Sequence, residues 1–393
     1  MVAVPPPRDA TLDAIDEKIV AANDVTPRGY YGASQADDDC ERRQWYRLHW
    51  ALPEYHSAAT LRRFADGFAG EDLMASRLRL VEDIDLRTHR NGEQFEVSAI
   101  AGHLKGHLDG CIKGVDAAPK TWHVWEHKQV QQTGSHGFNR LKKLITEDEK
   151  EALEQWNSNY FAQAQLYMGL ANLKRHYLTV STPGGRDYIS CRTDYQPKAF
   201  KAIIEKAERV ISDRELPVRI SADPEYFQCG WCGFKETCHG DKTAQVNCRT
   251  CLHGRPITDE KAGAPGKPAG RGTWYCEFHS KNLSLKLQRT GCSDHLFHPG
   301  LIPWATLMGT DEENNLNLYA TKKKKTFING HKNDWAGDPP TFTSKDLQHV
   351  DDKFIESEEK VLTAMASFQT AHIVSVEKAK EKPPEDFNDP IPF

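Results

Sequence analysis

The chain has 393 residues, a hydrophobic content of 38% and a formal net charge of -5 at pH 7. This length is enough for two or three domains. The sequence has no run of about 18 apolar residues, so we expect no transmembrane span and no membrane partner. The first residues lack the charged region and the apolar region of a signal peptide, and we therefore expect a cytoplasmic protein. The charge balance excludes a globally basic surface of the kind that coats nucleic acid passively.

Composition divides the chain into five predicted segments. They are an N-terminal arm (1–33) with one helix around 12–22, an α/β core (34–240), a cysteine-rich module (246–303), a small strand and helix region (304–376), and a charged, proline-containing tail (377–393) that we expect to be disordered. Thr343 has the residue type of a helix N-cap and predicts a final helix that ends near Val376.

The α/β core contains a run that is typical of a buried strand. Residues 122–130 are mostly apolar and aromatic, yet they include Glu126 and Lys128. Residues two apart in a strand point to the same face, so these two side chains should project together. Burying a carboxylate and an amine is costly unless they are paired or bind an ion. An acidic residue from a neighbouring strand, Asp109 in His107-Leu108-Asp109-Gly110, would add a second carboxylate to the same place.

Asp109 followed by Glu126-x-Lys128 resembles the motif of the PD-(D/E)XK nuclease superfamily. The alternative is an ordinary surface salt bridge on an edge strand. The resemblance implies an α/β, restriction-endonuclease-like fold, in which a mixed central sheet is flanked by helices. It also implies hydrolysis of DNA phosphodiester bonds with Mg²⁺ or Mn²⁺. Asp109, Glu126 and the main-chain carbonyl of His127 are then expected to bind the metal, and Lys128 to orient the attacking water and help to deprotonate it.

A second motif follows in the predicted helical stretch 151–177. Gln163 and Tyr167 lie four residues apart and therefore share a helix face. They resemble the Gln-x3-Tyr motif of RecB-like and phage-type exonucleases, which implies that they help to shape a DNA-binding groove. An ordinary amphipathic helix is the alternative interpretation.

Glu71 lies in a predicted helix-rich segment, 57–80. In the family that the chain resembles, a Glu on an early helix completes the metal site or steadies the Lys, and Glu71 matches that place. Many relatives carry a His shortly before this Glu, whereas this chain has Phe68. Asp72 and Glu82 are therefore alternatives for the same role.

The ten cysteines form two groups. Cys229-x2-Cys232-x5-Cys238 together with the remote Cys40 resembles the iron–sulfur staple of AddB-type and CRISPR-adaptation nucleases. The resemblance implies that these four thiolates hold a [4Fe–4S] cluster. A zinc site with the same ligands, and buried free thiols, are the alternatives. Disulfides are disfavoured because Cys-x2-Cys in an intracellular enzyme usually binds metal.

The second cysteine group has the spacing of a zinc ribbon or knuckle. Cys248-x2-Cys251 precedes Cys276 and Cys292, and two such ligand pairs separated by a loop suit a structural Zn²⁺ ion. Histidines are interspersed, so the fourth ligand stays open, with His279 or His295 as alternates to a cysteine. The two remaining cysteines, Cys111 and Cys191, occur in strand-like runs and are predicted to be core residues.

Basic residues that could line a nucleic-acid groove occur in two places. They are Arg140, Lys142 and Lys143 in the core, and the run Lys322-Lys323-Lys324-Lys325 further on. Each set could equally be a solvated face.

Together these motifs predict a Mg²⁺-dependent DNA exonuclease of recombination, repair or phage DNA metabolism. Two alternatives remain: a structure-specific endonuclease on the same core, and a non-catalytic adaptor that brings DNA and repair proteins together. DNA is the expected partner, and a recombinase is a further one.

The chain ends in Asp389-Pro390-Ile391-Pro392-Phe393, behind further acidic residues. This resembles the acidic tip of bacterial single-stranded DNA-binding proteins. A terminal Phe can fill an apolar pocket while its carboxylate meets an Arg, and the acidic residues add steering toward a basic rim. The resemblance implies docking onto host repair or replication proteins that recognise such a tip.

Deleting residues 390–393 should abolish binding to those host proteins, because the deletion removes both the Phe side chain and its carboxylate. Nuclease activity should stay unchanged. Pull-down with the full chain and with the truncated chain checks this, and equal binding by both would contradict the docking role.

Overall fold

The computed structural model describes residues 9–259, 272–331 and 339–351. The chain divides into two compact units. The described parts of the first unit are residues 9–39, 53–211 and 259, and those of the second are residues 40–52, 212–258, 272–331 and 339–351. Within these ranges, every helix is too short or too polar to cross a membrane.

Helices and strands alternate along the chain. The helices are α1 (Ala10–Ala22), α2 (Glu41–Leu48), α3 (Ala58–Leu78), α4 (Phe138–Trp156), α5 (Ser158–Leu170), α6 (Pro197–Ser212), α7 (Phe227–Gly230), α8 (Lys235–Cys238), α9 (Leu285–Thr290) and α10 (Ser344–Leu347). The strands are β1 (Tyr31–Gly32), β2 (Asp85–Arg87), β3 (His89–Arg90), β4 (Glu93–Ala99), β5 (Leu104–Leu108), β6 (Gly110–Lys113), β7 (His123–Gln129), β8 (Arg175–Ser181), β9 (Tyr188–Asp194), β10 (Gly254–Pro256), β11 (Trp274–Cys276), β12 (Lys281–Leu283), β13 (Ala305–Asp311), β14 (Leu316–Thr321), β15 (Thr326–Asn329) and β16 (Thr341–Phe342).

The first unit contains a mixed five-stranded sheet in the order β2-β6-β7-β8-β9. Its pairs are antiparallel except for β7 and β8, which run parallel. A parallel pair needs a crossover, and helices α4 and α5 supply it. Helix α3 packs over β7, and a core of buried apolar side chains lies between them. A mixed central sheet flanked by helices is the predicted fold class, which the structure confirms.

Asp109 lies where the chain passes from one sheet to another. A second sheet of the first unit has the order β1-β5-β4-β3, and β5 ends at Leu108. Strand β6 of the five-stranded sheet begins at Gly110. A Cβ atom on Gly110 would lie 2.7 Å from the main-chain oxygen of Arg87 and 3.1 Å from the ring of Trp125. The side chain of residue 110 must therefore be absent for β6 to start immediately after Asp109.

The predicted helices at the start of the chain are present. Helix α1 covers the residues expected in the N-terminal arm, and α3 covers most of 57–80. The hydroxyl of Ser57 caps α3 by accepting a hydrogen bond from the main-chain N–H of Thr60 at 3.2 Å. The predicted strand at 122–130 is β7, and five of its seven residues are buried.

The predicted helical stretch 151–177 is wrong in two places. The helix breaks at Asn157, whose extended backbone separates α4 from α5 and whose side chain caps α5 by accepting from Tyr160 N–H at 3.1 Å. Helix α5 then ends at Leu170, and Asn172 adopts a positive φ of 53°. Residues 175–177 begin strand β8 instead, because pairing with β7 in the core outweighs the local helical pattern.

The second unit is built from two small sheets and short helices. One sheet is antiparallel, in the order β10-β11-β12, and the other has the order β13-β14-β15-β16. Its largest buried cation is Arg249, whose guanidinium lies 3.8 Å from the ring centre of Trp50 and 4.6 Å from that of Trp274. The same group donates to the main-chain oxygen of Leu48 and to the side chain of Gln288. These contacts hold the segment 40–52 against the β10-β11-β12 sheet within this unit.

The structure describes only part of the predicted C-terminal region. Thr343 caps α10, and its hydroxyl accepts from Asp346 N–H in a capping box. The continuation of this helix toward Val376, the tail 377–393 and its terminal Phe393 lie outside the described residues.

Candidate active site

Asp109 and strand β7 are joined by a buried hydrogen bond. The Asp109 side chain is 9% exposed, and its Oδ2 accepts from the main-chain N–H of His127 at 2.8 Å. Burial raises the pKa of this carboxyl group, although Lys128 and the His127 N–H partly offset the increase. This bond fixes the carboxylate beside the strand that carries Glu126 and Lys128.

Glu126 and Lys128 project from one face of β7, as their spacing predicts. Their side chains form an ion pair between Glu126 Oε1 and Lys128 Nζ. The Glu126 side chain is almost fully buried, and its second oxygen, Oε2, has no hydrogen-bond partner within the described part of the chain. A buried carboxylate oxygen without a donor costs free energy that a bound cation would recover.

Glu71 reaches the same cluster from helix α3. The carboxyl group is half-buried, and burial together with the charge of Asp109 raises its pKa to about 7, while Lys128 lowers it. Burial and the charge of Asp109 raise the pKa of Glu126 to about 8, and the charge of Glu71 adds a smaller increase. The structure therefore brings all four residues predicted to be catalytic into one electrostatic cluster. Asp72 and Glu82, the alternatives to Glu71, are exposed.

The charges in this cluster do not balance. Three carboxyl groups face one ammonium group, and burial opposes the charge of Lys128 while Glu126 and Asp109 raise its pKa above the ordinary value. An Mg²⁺ or Mn²⁺ ion prefers carboxylate oxygens and would supply the missing positive charge. The unpaired Glu126 Oε2 and the Asp109 carboxylate have the chemistry to bind such an ion, whereas oxygen atoms from Glu71, Asp109 and Glu126 do not all lie within 4.8 Å of one another in the described chain.

The ring of His127 lies on the opposite face of β7. Its two nitrogens are 3.0 Å from the hydroxyl of Thr179 and 3.1 Å from that of Ser181, both on β8. Burial and the charge of Lys128 lower the pKa of His127 to about 4, so the ring is neutral near pH 7. Only the main chain of His127 borders the acidic cluster, which agrees with a main-chain rather than a ring role. Its carbonyl as a metal ligand stays a prediction.

Gln163 and Tyr167 are buried and bonded to each other. The Gln163 amide donates to the Tyr167 hydroxyl at 3.0 Å, and that hydroxyl donates to the main-chain oxygen of His107 at 2.8 Å. A Cβ atom on Gly106 would lie 2.3 Å from the Tyr167 ring, so this approach needs a glycine. The pair holds β5 two residues before Asp109. Its predicted contact with DNA stays a prediction.

Tyr160 is a neighbour of the site that the sequence motifs did not indicate. Its ring centre lies 5.1 Å from Lys128 Nζ, a distance at which the ring attracts the ammonium group. Tyr160 lies seven residues, two helical turns, before Tyr167 on α5, and this spacing on one helix face is the signal that could have pointed to it.

The first cysteine group is gathered in the second unit. One cavity is lined by all four predicted iron–sulfur ligands, namely Cys40, Cys229, Cys232 and Cys238. The cavity wall also contains Arg42, Arg43 and Arg219, whose positive charges suit a group of thiolates. Within the described ranges, no three of these sulfur atoms lie within 4.8 Å of one another.

The second cysteine group surrounds the β10-β11-β12 sheet. Cys276 ends β11, and its sulfur accepts from the main-chain N–H of His279 at 3.4 Å. Cys248 donates to the main-chain oxygen of Leu287 at 3.3 Å. In the described chain no disulfide joins the ten cysteines, which include the buried Cys191 and the partly buried Cys111 outside the two groups.

The structure distinguishes the two histidines that were expected as alternative zinc ligands. His279 Nε2 lies 3.7 Å from the sulfur of Cys292, whereas His295 Nε2 faces the main-chain oxygen of Asn247 at 3.0 Å. His279 is therefore the histidine that joins the thiols.

The predicted basic residues are exposed. Arg140, Lys142 and Lys143 lie on α4, and the four-lysine run 322–325 forms the turn between β14 and β15.

Comparisons with known proteins give only remote likenesses. No protein-family model and no curated protein matches the chain. An alkaline exonuclease (LHK-Exo) from Laribacter hongkongensis is 13% identical, with a TM-score of 0.33 over 49% of this chain and 90% of that chain. Its complex with dAMP is 14% identical with the same TM-score and coverage. The protein SSO0001 is 14% identical, with a TM-score of 0.33 over 58% of this chain and 96% of that chain. Any function therefore has to be argued from the site itself.

Metal-free protein should lose stability as the pH rises through the raised pKa values of Glu71 and Glu126, about 7 and about 8. Below the ordinary value of about 4.5 both groups are protonated in the folded and unfolded states, and above it only the unfolded chain ionises freely. The melting temperature in EDTA should therefore fall from about pH 4.5 until the pH passes about 8, and it should fall less in Glu126→Gln, which cannot ionise at residue 126.

The exposed Glu82→Gln variant is the matched control and should behave as wild type. Mg²⁺ at the higher pH should restore the melting temperature of wild type but not of Glu126→Gln. Identical pH profiles for wild type and Glu126→Gln in calorimetry would contradict the buried-cluster assignment.

Proposed function

We propose that this protein is a metal-dependent deoxyribonuclease of the PD-(D/E)XK superfamily. The observation that carries the proposal is the cluster of Glu71, Asp109 and Glu126 around Lys128, with the buried Glu126 Oε2 left without a partner in the described residues. A divalent cation beside a buried lysine is suited to phosphodiester hydrolysis. An edge-strand salt bridge accounts less well for these residues, because β7 has a paired strand on each side.

Asp109 and Glu126 are the metal ligands in this proposal, with the main-chain carbonyl of His127 and with Glu71 closing the site from α3. The bound Mg²⁺ or Mn²⁺ would offset the charge that develops on the phosphate during attack. The His127 N–H keeps Asp109 Oδ2 in place, which leaves its other oxygen for the ion.

Lys128 holds and orients the attacking water. Its ammonium group already pairs with Glu126 and faces the Tyr160 ring. Because the carboxylates keep Lys128 protonated, it acts first as a hydrogen-bond donor that positions the water oxygen. Glu71, which reaches the same cluster from α3, is the neighbouring carboxylate that would accept the proton lost by the water.

The substrate class is DNA, and we infer that cleavage proceeds from ends, in DNA recombination, repair or phage DNA metabolism. The assignment as an exonuclease rests on the Gln163-x3-Tyr167 pattern. This pattern follows the proposed catalytic strand β7 in the sequence, as it does in RecB-like and phage-type exonucleases. The alternative hypothesis is an endonuclease with the same core. Covalently closed circular DNA distinguishes an exonuclease from an endonuclease, because a closed circle has no ends.

We further propose that the four-thiol cavity holds a [4Fe–4S] cluster. A single zinc ion with bonds of about 2.3 Å would hold its sulfur ligands about 3.8 Å apart. The four thiols share one cavity, yet no three of their sulfurs lie within 4.8 Å of one another in the described chain. A cluster binds each cysteine through a different iron atom, and so it suits the wider spacing.

Protein purified without oxygen should contain iron and acid-labile sulfide, and Cys40→Ser should lose both because it removes one of four ligands. Cys111→Ser, which alters a thiol outside the cavity, is the control and should keep them. Zinc in place of iron in the wild-type protein would refute the cluster.

Lys128→Ala should reduce DNA cleavage by about 10²- to 10³-fold, the loss typical when one preorganised hydrogen-bond donor is removed from an active site. DNA binding should change little, because the carboxylates that hold the cation remain. Mg²⁺-dependent digestion of end-labelled linear DNA beside a closed circle measures cleavage, and gel shift measures binding in Ca²⁺.

The exposed Lys120→Ala variant is the matched control for the loss of one positive charge and should cleave as wild type does. Loss of linear DNA alone would support an exonuclease, and cutting of the circle would support the endonuclease reading. Full cleavage by Lys128→Ala would remove the basis of the proposed mechanism.

A further inference from the structure

Three different donor atoms converge in the second unit. His279 Nε2, Cys292 Sγ and a carboxylate oxygen of Asp294 all lie within 4.8 Å of one another, and in the described parts of the chain no other His, Cys, Asp and Glu side chains form such a group. Asp294 is nearly buried and His279 is largely shielded from solvent. Imidazole nitrogen, thiolate sulfur and carboxylate oxygen are all zinc ligands.

The distances agree with a shared metal ion. His279 Nε2 is 3.7 Å from Cys292 Sγ and 3.4 Å from Asp294 Oδ2. In a tetrahedral zinc site with ordinary bond lengths, the nitrogen and the sulfur lie about 3.6 Å apart, and the nitrogen and the oxygen about 3.4 Å apart. A direct hydrogen bond between the ring nitrogen and the carboxylate would be shorter, about 2.7 to 3.2 Å.

The other oxygen of Asp294 is held by a neighbouring histidine. His331 Nε2 lies 2.7 Å from Asp294 Oδ1, which turns Oδ2 toward His279. Outer partners of this kind orient metal-binding carboxylates. The main-chain oxygen of Asp294 also accepts from the side-chain amide of Asn315 at 3.0 Å, so the residue is fixed from two sides.

We propose that Zn²⁺ is bound in this module by His279, Cys292 and Asp294, rather than by four cysteines. The thiol of Cys248 makes a hydrogen bond to the Leu287 carbonyl instead, at 3.3 Å. No three sulfurs of this cysteine group approach within 4.8 Å in the described residues, as a four-thiolate site would require. The fourth position of the ion is left to a water molecule. The proposal is independent of the nuclease activity.

Zinc content of the purified full chain tests this assignment directly. Asp294→Asn and His279→Gln should each lose about one zinc per chain at a chelator concentration that leaves the wild type loaded, because each removes one of three protein ligands. Cys248→Ser is the matched control: it keeps a hydroxyl that can donate to Leu287, and it should retain the zinc. Retention of zinc by Asp294→Asn together with its loss from Cys248→Ser would overturn the proposal in favour of the four-cysteine site.

A measurement on the wild-type chain covers the case in which a variant fails to fold. Co²⁺ replaces Zn²⁺ in such sites, and the intensity of its near-ultraviolet sulfur-to-cobalt absorption grows with the number of bound thiolates. In the difference spectrum of the Co²⁺-loaded chain against the Zn²⁺-loaded chain, in which the absorption of the proposed [4Fe–4S] cluster cancels, we expect the intensity of one thiolate. The intensity of three or four would overturn the proposal. DNA cleavage is not part of either readout, so failure here leaves the Lys128 test unaffected.

Discussion

The placement of three carboxyl groups around one ammonium group, on a strand with neighbours on both sides, is the constraint on which the first unit depends. Burial raises the pKa of Asp109 and Glu126, and one lysine cannot neutralise both of them and Glu71. Such an arrangement lowers stability unless a cation joins it. A fold that keeps it must gain stability elsewhere, and the apolar core between α3 and the five-stranded sheet is where that gain arises.

The rest of the first unit fixes the geometry of this cluster. Asp109 occupies the single residue between β5 and β6, and the Tyr167 hydroxyl ties the preceding strand to α5 through the main chain of His107. On the other face of β7, the Thr179 hydroxyl meets both the Trp125 indole N–H and the His127 ring. The Glu126 Oε2 atom, on the face with Lys128, is the carboxylate oxygen that these contacts leave without a donor in the described residues and that the proposed ion would contact.

The second unit combines two small sheets with buried polar and thiol groups. Its sheets have three and four short strands. The Arg249 guanidinium lies against the rings of Trp50 and Trp274, and this contact ties the segment 40–52 to the β10-β11-β12 sheet. A bound metal contributes directly to the free energy of folding, and the proposed cluster and zinc ion would add to the stability of this unit in that way.

Local sequence patterns correctly predicted the strand β7, the shared face of Glu126 and Lys128, and the helix that carries Glu71. They also predicted that the cysteines fall into two groups. These follow from local rules: side-chain alternation, capping and ligand spacing act over a few residues. The same patterns misplaced the end of the helical stretch before β8, because strand pairing across the sheet outweighs helical periodicity there. Three contacts became visible in the folded chain alone: Tyr160 with Lys128, Tyr167 with the backbone beside Asp109, and Asp294 with His279. The first two join separate strands and helices, and the spacing of residues along the sequence does not by itself specify how such elements pack.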